Sequence, residues 1–289
     1  MMRVAAIQMV SGPEVGANLR EAGRLLEHAA ARGARLAALP ENFALMGSRD
    51  TDKIAVREAP GDGPIQSFLS EAAKRLGIWV VGGSIPLEAR APDRVRNSCL
   101  VYDEGGRCAA RYDKIHLFGL EMGEERHSEE LTIEAGSDVV AVDSPFGRMG
   151  LSICYDLRFP ELYRAMGGVD LILVPSAFTR VTGMAHWESL LRARAIENLA
   201  YVVAPAQGGR HANGRETHGD TLISDPWGVI LARLAHGPGV IVADLDRQYQ
   251  ERMRASLPAL RHRRIGAGGV APQSPGPSNN IRKGQNEAA

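Results

Sequence analysis

A glutamate, a lysine and a cysteine, far apart along the chain, are the residues best suited to joint chemistry. Cys154 closes the apolar run Met149–Ile153, and Pro160 just beyond it suits the first turn of a helix. A cysteine at such a strand-to-helix turn meets free backbone N–H groups, which favour a thiolate or a developing oxyanion. Glu41 follows the short strand Arg35–Leu39, at the edge where ligand sites collect in open α/β sheets. Lys114 ends the strand Arg107–Lys114 and precedes the apolar cluster that begins at Ile115. Taken singly, each has an ordinary explanation: a core thiol, a solvated carboxylate, a surface lysine whose stem covers apolar groups. Taken together they make a reaction. A free thiol is only a few per cent ionised at neutral pH, so a nucleophilic cysteine gains from a base. A partly desolvated glutamate can take that proton and return it to a leaving amine. An ammonium, with the N–H of Tyr155, can hold the tetrahedral oxyanion. The chemistry is amide hydrolysis.

The elements that must position these groups alternate along the chain. Arg3–Met9 reads as a strand, Asn18–Ala31 as a helix with Leu19, Ala22, Leu25, Leu26 and Ala29 on one face, and Pro64–Leu76 as the next helix. Residues 43–63 between them read as a polar loop over the site. Ile78–Ile85 is expected as one buried strand containing a glycine pair. Arg96–Asp103 and Arg107–Lys114 are joined by Glu104-Gly-Gly106 as a hairpin that delivers Lys114. Cys99 and Cys108 lie in these strands and read as structural. Gly119–Glu134 reads as an acidic loop, with Glu121, Glu124, Glu125, Glu129 and Glu130. A second hairpin, Asp138–Asp143 with Met149–Ile153, presents Cys154. After the buried strand Val169–Val174, Thr182 is the expected N-cap of a helix Gly183–Leu199. Ala200–Pro205 reads as a strand, Gln207–Gly214 as a glycine-rich loop, and three more strands lead to a short helix, Arg247–Met253. Two similar passes, 3–90 and 138–210, predict mixed sheets covered by helices in an α/β fold.

Composition narrows the function classes. Lys plus Arg and Asp plus Glu are 34 each in 289 residues, so no net field recruits nucleic acid or an anionic membrane. The expected partner is a small molecule, and Arg261-His-Arg-Arg264 reads as a local solvated or interface segment. Three scattered cysteines give neither a disulfide framework nor metal-ligand spacing, so neither metal nor cofactor is expected. No apolar run is long enough to span a bilayer, and the expected location is the cytoplasm. One continuous domain, 1–265, is expected, followed by a disordered Gly, Pro, Ser and Asn tail, 266–289.

The three motifs, Leu39-Pro-Glu-Asn42, Arg111-Tyr-Asp-Lys-Ile-His-Leu117 and Gly150-Leu-Ser-Ile-Cys-Tyr-Asp-Leu-Arg-Phe-Pro-Glu161, occur in order. With Pro175-Ser-Ala-Phe178, Ala185-His-Trp-Glu188, Arg192-Ala-Arg-Ala-Ile-Glu197 and Asp225-Pro-Trp-Gly228, the chain resembles the carbon-nitrogen hydrolase (nitrilase) superfamily over about residues 3–265. That resemblance implies a four-layer α-β-β-α sandwich that forms a homodimer or larger homo-oligomer. It implies Glu41 as general base and acid, Lys114 as oxyanion stabiliser, Cys154 as the nucleophile that forms a thioester, and a second glutamate, best matched by Glu129 with Glu130 adjacent. It also implies a small carboxylated amide as substrate. Tyr155 and Phe178 are the expected pocket residues, and Arg180, or Arg210 with His211, the expected carboxylate donors. Two rivals remain: a Cys-His hydrolase using His186, His211 or His218, and a non-catalytic binding protein on the same scaffold.

Overall fold

Alternate residues of the first strand enter two different cores, and the layering follows from that. The computed structural model describes residues 1–122 and 125–265. The elements run β1 (Met2–Gln8), α1 (Val15–Ala31), β2 (Leu36–Ala38), α2 (Asp52–Ala55), α3 (Pro64–Leu76), β3 (Trp79–Val81), β4 (Ile85–Glu88), β5 (Val95–Tyr102) and β6 (Cys108–Asp113). A small hairpin, β7 (Gly119–Met122) and β8 (Glu125–Ser128), leads into a 3-10 turn, Glu129–Leu131. Next come β9 (Ala141–Ser144), β10 (Gly147–Leu151), the 3-10 turn Cys154–Arg158, α4 (Pro160–Ala165), β11 (Leu171–Leu173), α5 (Arg180–Asn198) and β12 (Tyr201–Ala204). The chain then forms β13 (Gly208–Arg210), β14 (Glu216–His218), β15 (Thr221–Ser224), β16 (Ile230–Leu234), β17 (Gly239–Leu245) and α6 (Arg247–Ser256).

The first sheet has the order β17-β1-β2-β3-β5-β4, with β6 paired to β5; the second has the order β16-β15-β12-β11-β10-β9. Val4, Ala6, Leu36, Ala38 and Val81 of the first sheet share a core with Met149, Leu151, Leu171 and Leu173 of the second, and this core continues to Trp187, Leu191 and Ala195 of α5. Ala5, Ile7, Ala37 and Leu39, the alternate positions, pack with Leu25 and Leu26 of α1 and Ile65 and Leu69 of α3. The result is the α-β-β-α sandwich. Each buried Leu or Ile in it contributes roughly 1.5–3 kcal/mol before the cost of ordering the chain.

Several boundaries differ from the sequence expectation for identifiable reasons. Ile78–Ile85 is two strands, because Gly83 takes a left-handed φ of 55° where a Cβ would sit 2.1 Å from the Pro40 carbonyl oxygen. The N-cap of α5 is Thr179, whose hydroxyl accepts from Thr182 N at 3.4 Å; Thr182 already lies inside the first turn. The 43–63 loop contains α2, and Gly119–Glu134 contains β7, β8 and a 3-10 turn. Gln207–Gly214 contributes β13 to a hairpin with β14. Cys99 is buried and Cys108 exposed, so Cys108 is a strand residue outside the core. The 266–289 tail and Glu124 lie outside the described residues. Among the described residues no helix is long and apolar enough to cross a membrane.

Candidate active site

Glu41 stands just past the C-terminal end of β2. Its neighbour Asn42 has a φ of 55° and donates its N–H to Ser84 Oγ at 3.0 Å, which fixes the turn that directs Glu41. Asn97 Nδ2 donates to Glu41 Oε1 at 3.0 Å, and Gln207 Nε2 to the Glu41 carbonyl at 3.1 Å. The side chain is 2% exposed.

Lys114 follows β6, its N–H bonded to the Asn97 carbonyl at 2.9 Å. Its Nζ donates to Glu41 Oε1 at 2.9 Å and meets Glu129 Oε1 and Oε2 at 2.9 and 2.8 Å. Desolvation alone would lower the pKa of this ammonium. The charges of Glu129 and Glu41 outweigh it and hold the group above the usual lysine range, so it stays cationic. Glu129 opens its 3-10 turn and also accepts the Phe118 N–H at 2.7 Å; Glu130 is exposed. The structure thus separates the two adjacent acids.

Cys154 adopts a φ of 51°, a left-handed turn for a non-glycine residue, with its N–H bonded to the Pro175 carbonyl at 2.9 Å. The turn is clamped by buried Asp156. Its carboxylate accepts from Ile153 N at 2.9 Å and Tyr112 Oη at 2.7 Å, and from His116 N and Nδ1 at 3.0 and 2.7 Å. Asp156 therefore ties the cysteine turn to Tyr112 and His116, two residues before and two after the lysine. Burial pushes the Cys154 thiol well above its ordinary pKa, the Glu41 carboxylate adds to the rise, and the Lys114 ammonium opposes it. The resting sulfur is a neutral thiol beside an acceptor carboxylate.

Glu41, Glu129 and Cys154 line one cavity of about 320 Å³ with Phe118, Tyr155 and Phe178 as aromatic walls. Lys114, 1% exposed, meets it through the two carboxylates. Tyr155 and Phe178 thus occupy the expected place, whereas three expected donors do not. Arg180 is exposed and pairs with Glu216 at 3.5 Å; the β13-β14 pairing turns Arg210 to the same outer hollow. His211 is buried with both ring nitrogens engaged, Nδ1 with the Ser11 carbonyl and Nε2 with Thr217 Oγ1, each at 2.8 Å. His186 and His218 are likewise absent from the described lining.

The cations that do line the cavity are Arg158 and Arg215. Arg158 lies over the Tyr155 and Phe178 rings at 5.7 and 5.3 Å, and among the described residues no carboxylate pairs with it. Its signal was inside the quoted cysteine motif, four positions after Cys154, where a 3-10 turn brings the chain back over itself. Asn97 could have been found from the hairpin register, which pairs Ser98 with Asp113 and so sets Asn97 beside Lys114.

A family model described as carbon-nitrogen hydrolase matches residues 3–255. The chain belongs to that family. This carbon-nitrogen hydrolase is 42% identical over 265 residues to the deaminated glutathione amidase of Synechocystis, covering 90% of this chain and 97% of that protein. Its structure resembles the Caenorhabditis elegans NitFhit protein with a TM-score of 0.83 and 37% identity, over 91% of this chain; it spans 65% of that longer chain. It also resembles an amidase from Nesterenkonia whose active-site cysteine carries a Michael adduct of acrylamide, with a TM-score of 0.75 and 29% identity, covering 89% of this chain and 98% of that one.

Proposed function

We propose that this hydrolase cleaves the amide of deaminated glutathione, giving 2-oxoglutarate and cysteinylglycine. The observation that carries the amidase reading is the buried Lys114 ammonium, 2.9 Å from Glu41 and 2.8 Å from Glu129, beside a left-handed Cys154. The substrate is supported by the likeness to deaminated glutathione amidases and by two cations in the cavity wall, Arg158 and Arg215, that form no ion pair with a carboxylate among the described residues.

In this reading Cys154 Sγ attacks the amide carbonyl carbon as Glu41 takes the thiol proton. The carbonyl oxygen becomes an oxyanion held by Lys114 and the Tyr155 N–H. The carbon–nitrogen bond then breaks, Glu41 returns the proton to the departing amine, and a thioester to Cys154 remains. A water, deprotonated by Glu41, attacks the thioester carbon. Collapse breaks the carbon–sulfur bond, frees the carboxylic acid and restores the thiol. Glu129 acts on position, anchoring Lys114. Arg158 supplies donors for the carboxylate of the acyl group.

The test is a side-by-side assay of deaminated glutathione, 2-oxoglutaramate, simple nitriles and N-carbamoyl amino acids. The highest kcat/KM is expected for deaminated glutathione. Glu41→Gln should lower kcat by about 10³-fold, Cys154→Ala should abolish turnover, and single changes of His186 and His218 should leave turnover largely intact. Preference for a nitrile or a carbamoyl compound would overturn the substrate. We further propose a cytoplasmic location, in keeping with three unpaired cysteines, and a homodimer docked on the exposed α5 face that carries Val181, Met184 and Ile196.

A further inference from the structure

The catalytic cavity adjoins a second chamber, of about 870 Å³ with the open space at its mouth included, and the two share Asn42 and Arg215 in their walls. Two of the cations around this chamber, Lys53 and Arg215, form no ion pair among the described residues. Lys53, on α2, donates to Thr132 Oγ1 at 3.2 Å and pairs with no carboxylate among the described residues. Arg215 spends Nη2 on the Ala177 carbonyl at 3.0 Å, while its Nε–H is buried with no hydrogen-bond partner among the described residues. A buried donor left open costs on the order of 1–3 kcal/mol, so such a group commonly marks a place that something else fills. Arg49, also in the wall, is already paired with Asp52 at 3.1 Å.

The position of the chamber assigns its occupant. It begins at Asn42, next to Glu41, the acid that protonates the leaving amine, whereas Arg158 is outside its wall, in the same 3-10 turn as Cys154 and over the Tyr155 and Phe178 rings. A scissile amide held between Cys154 and Glu41 therefore directs its acyl side to Arg158 and its amine side into the second chamber.

We propose that Lys53 and Arg215 form a leaving-group subsite for the terminal carboxylate of an extended, peptide-like amine, and that this subsite selects such amides over primary amides whose leaving group is ammonia. The proposal rests on the amidase reading above and adds which residues read the distal end of the substrate. Desolvation lowers the Lys53 pKa, Glu129 and Asp50 oppose it, and the Lys114 and Arg215 charges add to the lowering, as expected of an ammonium set in a recess among other cations. Asp50 is the one carboxylate in the wall, against Arg49, Lys53 and Arg215, so a carboxylate arriving there would meet an excess of positive charge.

The test compares deaminated glutathione with the same molecule bearing a C-terminal carboxamide in place of the carboxylate. Wild-type enzyme should prefer the acid by about ten- to hundredfold in kcat/KM, the usual effect of a charge-assisted hydrogen bond. In Lys53→Met and in Arg215→Met that preference should fall toward unity, chiefly because KM for the acid rises. The wild-type comparison needs no variant and stands if either fails to fold. Equal wild-type rates on acid and amide, or variants that slow both by the same factor, would overturn the subsite while leaving the amidase reading in place. No turnover of either compound by wild-type enzyme would overturn the substrate reading and the subsite with it.

Discussion

At the scale of single residues, the protonation of Cys154 separates this site from one built on a stored thiolate. Burial and the Glu41 charge raise its pKa well above the ordinary 9.0, so fewer thiolates exist at any given pH than in a free cysteine. The ultraviolet thiolate difference between wild type and Cys154→Ala should therefore stay flat from neutrality up to pH 9.0. A thiolate titrating near neutral pH would show that Glu41 is not needed to take the proton. Glu41, Lys114 and Cys154 were legible in the sequence because each stands at a strand end within a recognisable run, and backbone geometry brings strand ends to one edge. Lys53 was not legible, since a lysine in a polar loop looks the same whether it faces solvent or a chamber. Arg180 and Arg210 looked suitable by type, but a helix start and a hairpin turn them to the other face.

At the scale of elements, the site depends on how closely β2 and β3 leave the first sheet together. Gly83 allows the chain after β3 to pass the Pro40 carbonyl, one residue before Glu41. A methyl group there meets backbone in a left-handed conformation, so Gly83→Ala should cost about 3 kcal/mol in urea unfolding, through strain and overpacking combined. The same variant should lose activity through displacement of Glu41; an unchanged midpoint and unchanged kcat would refute this. The α3 boundaries were readable because Pro64 starts that helix and Gly77, with a φ of 62°, ends it. The acidic run at Gly119–Glu134 hid a hairpin, because its charges mask the alternation that marks a strand.

At the scale of the whole molecule, the proposed catalytic set is split between the two sheets. Glu41 and Lys114 extend from β2 and β6 of the first, Cys154 from β10 of the second, and the Tyr112–Asp156 hydrogen bond at 2.7 Å crosses between them. The layering was legible as two strand-and-helix passes, but the meeting of their edges needed coordinates, because no local pattern encodes the docking of one sheet on another. Each half alone lacks part of the proposed reaction: one has a carboxylate and a cation with no thiol beside them, the other a thiol with no acceptor. The account stands most directly on the covalent intermediate. Rapid mixing with deaminated glutathione, acid quench and intact mass spectrometry should reveal a 2-oxoglutaryl adduct, which peptide mapping places on Cys154. Turnover that leaves no adduct at any quench time and survives in Cys154→Ala would contradict it.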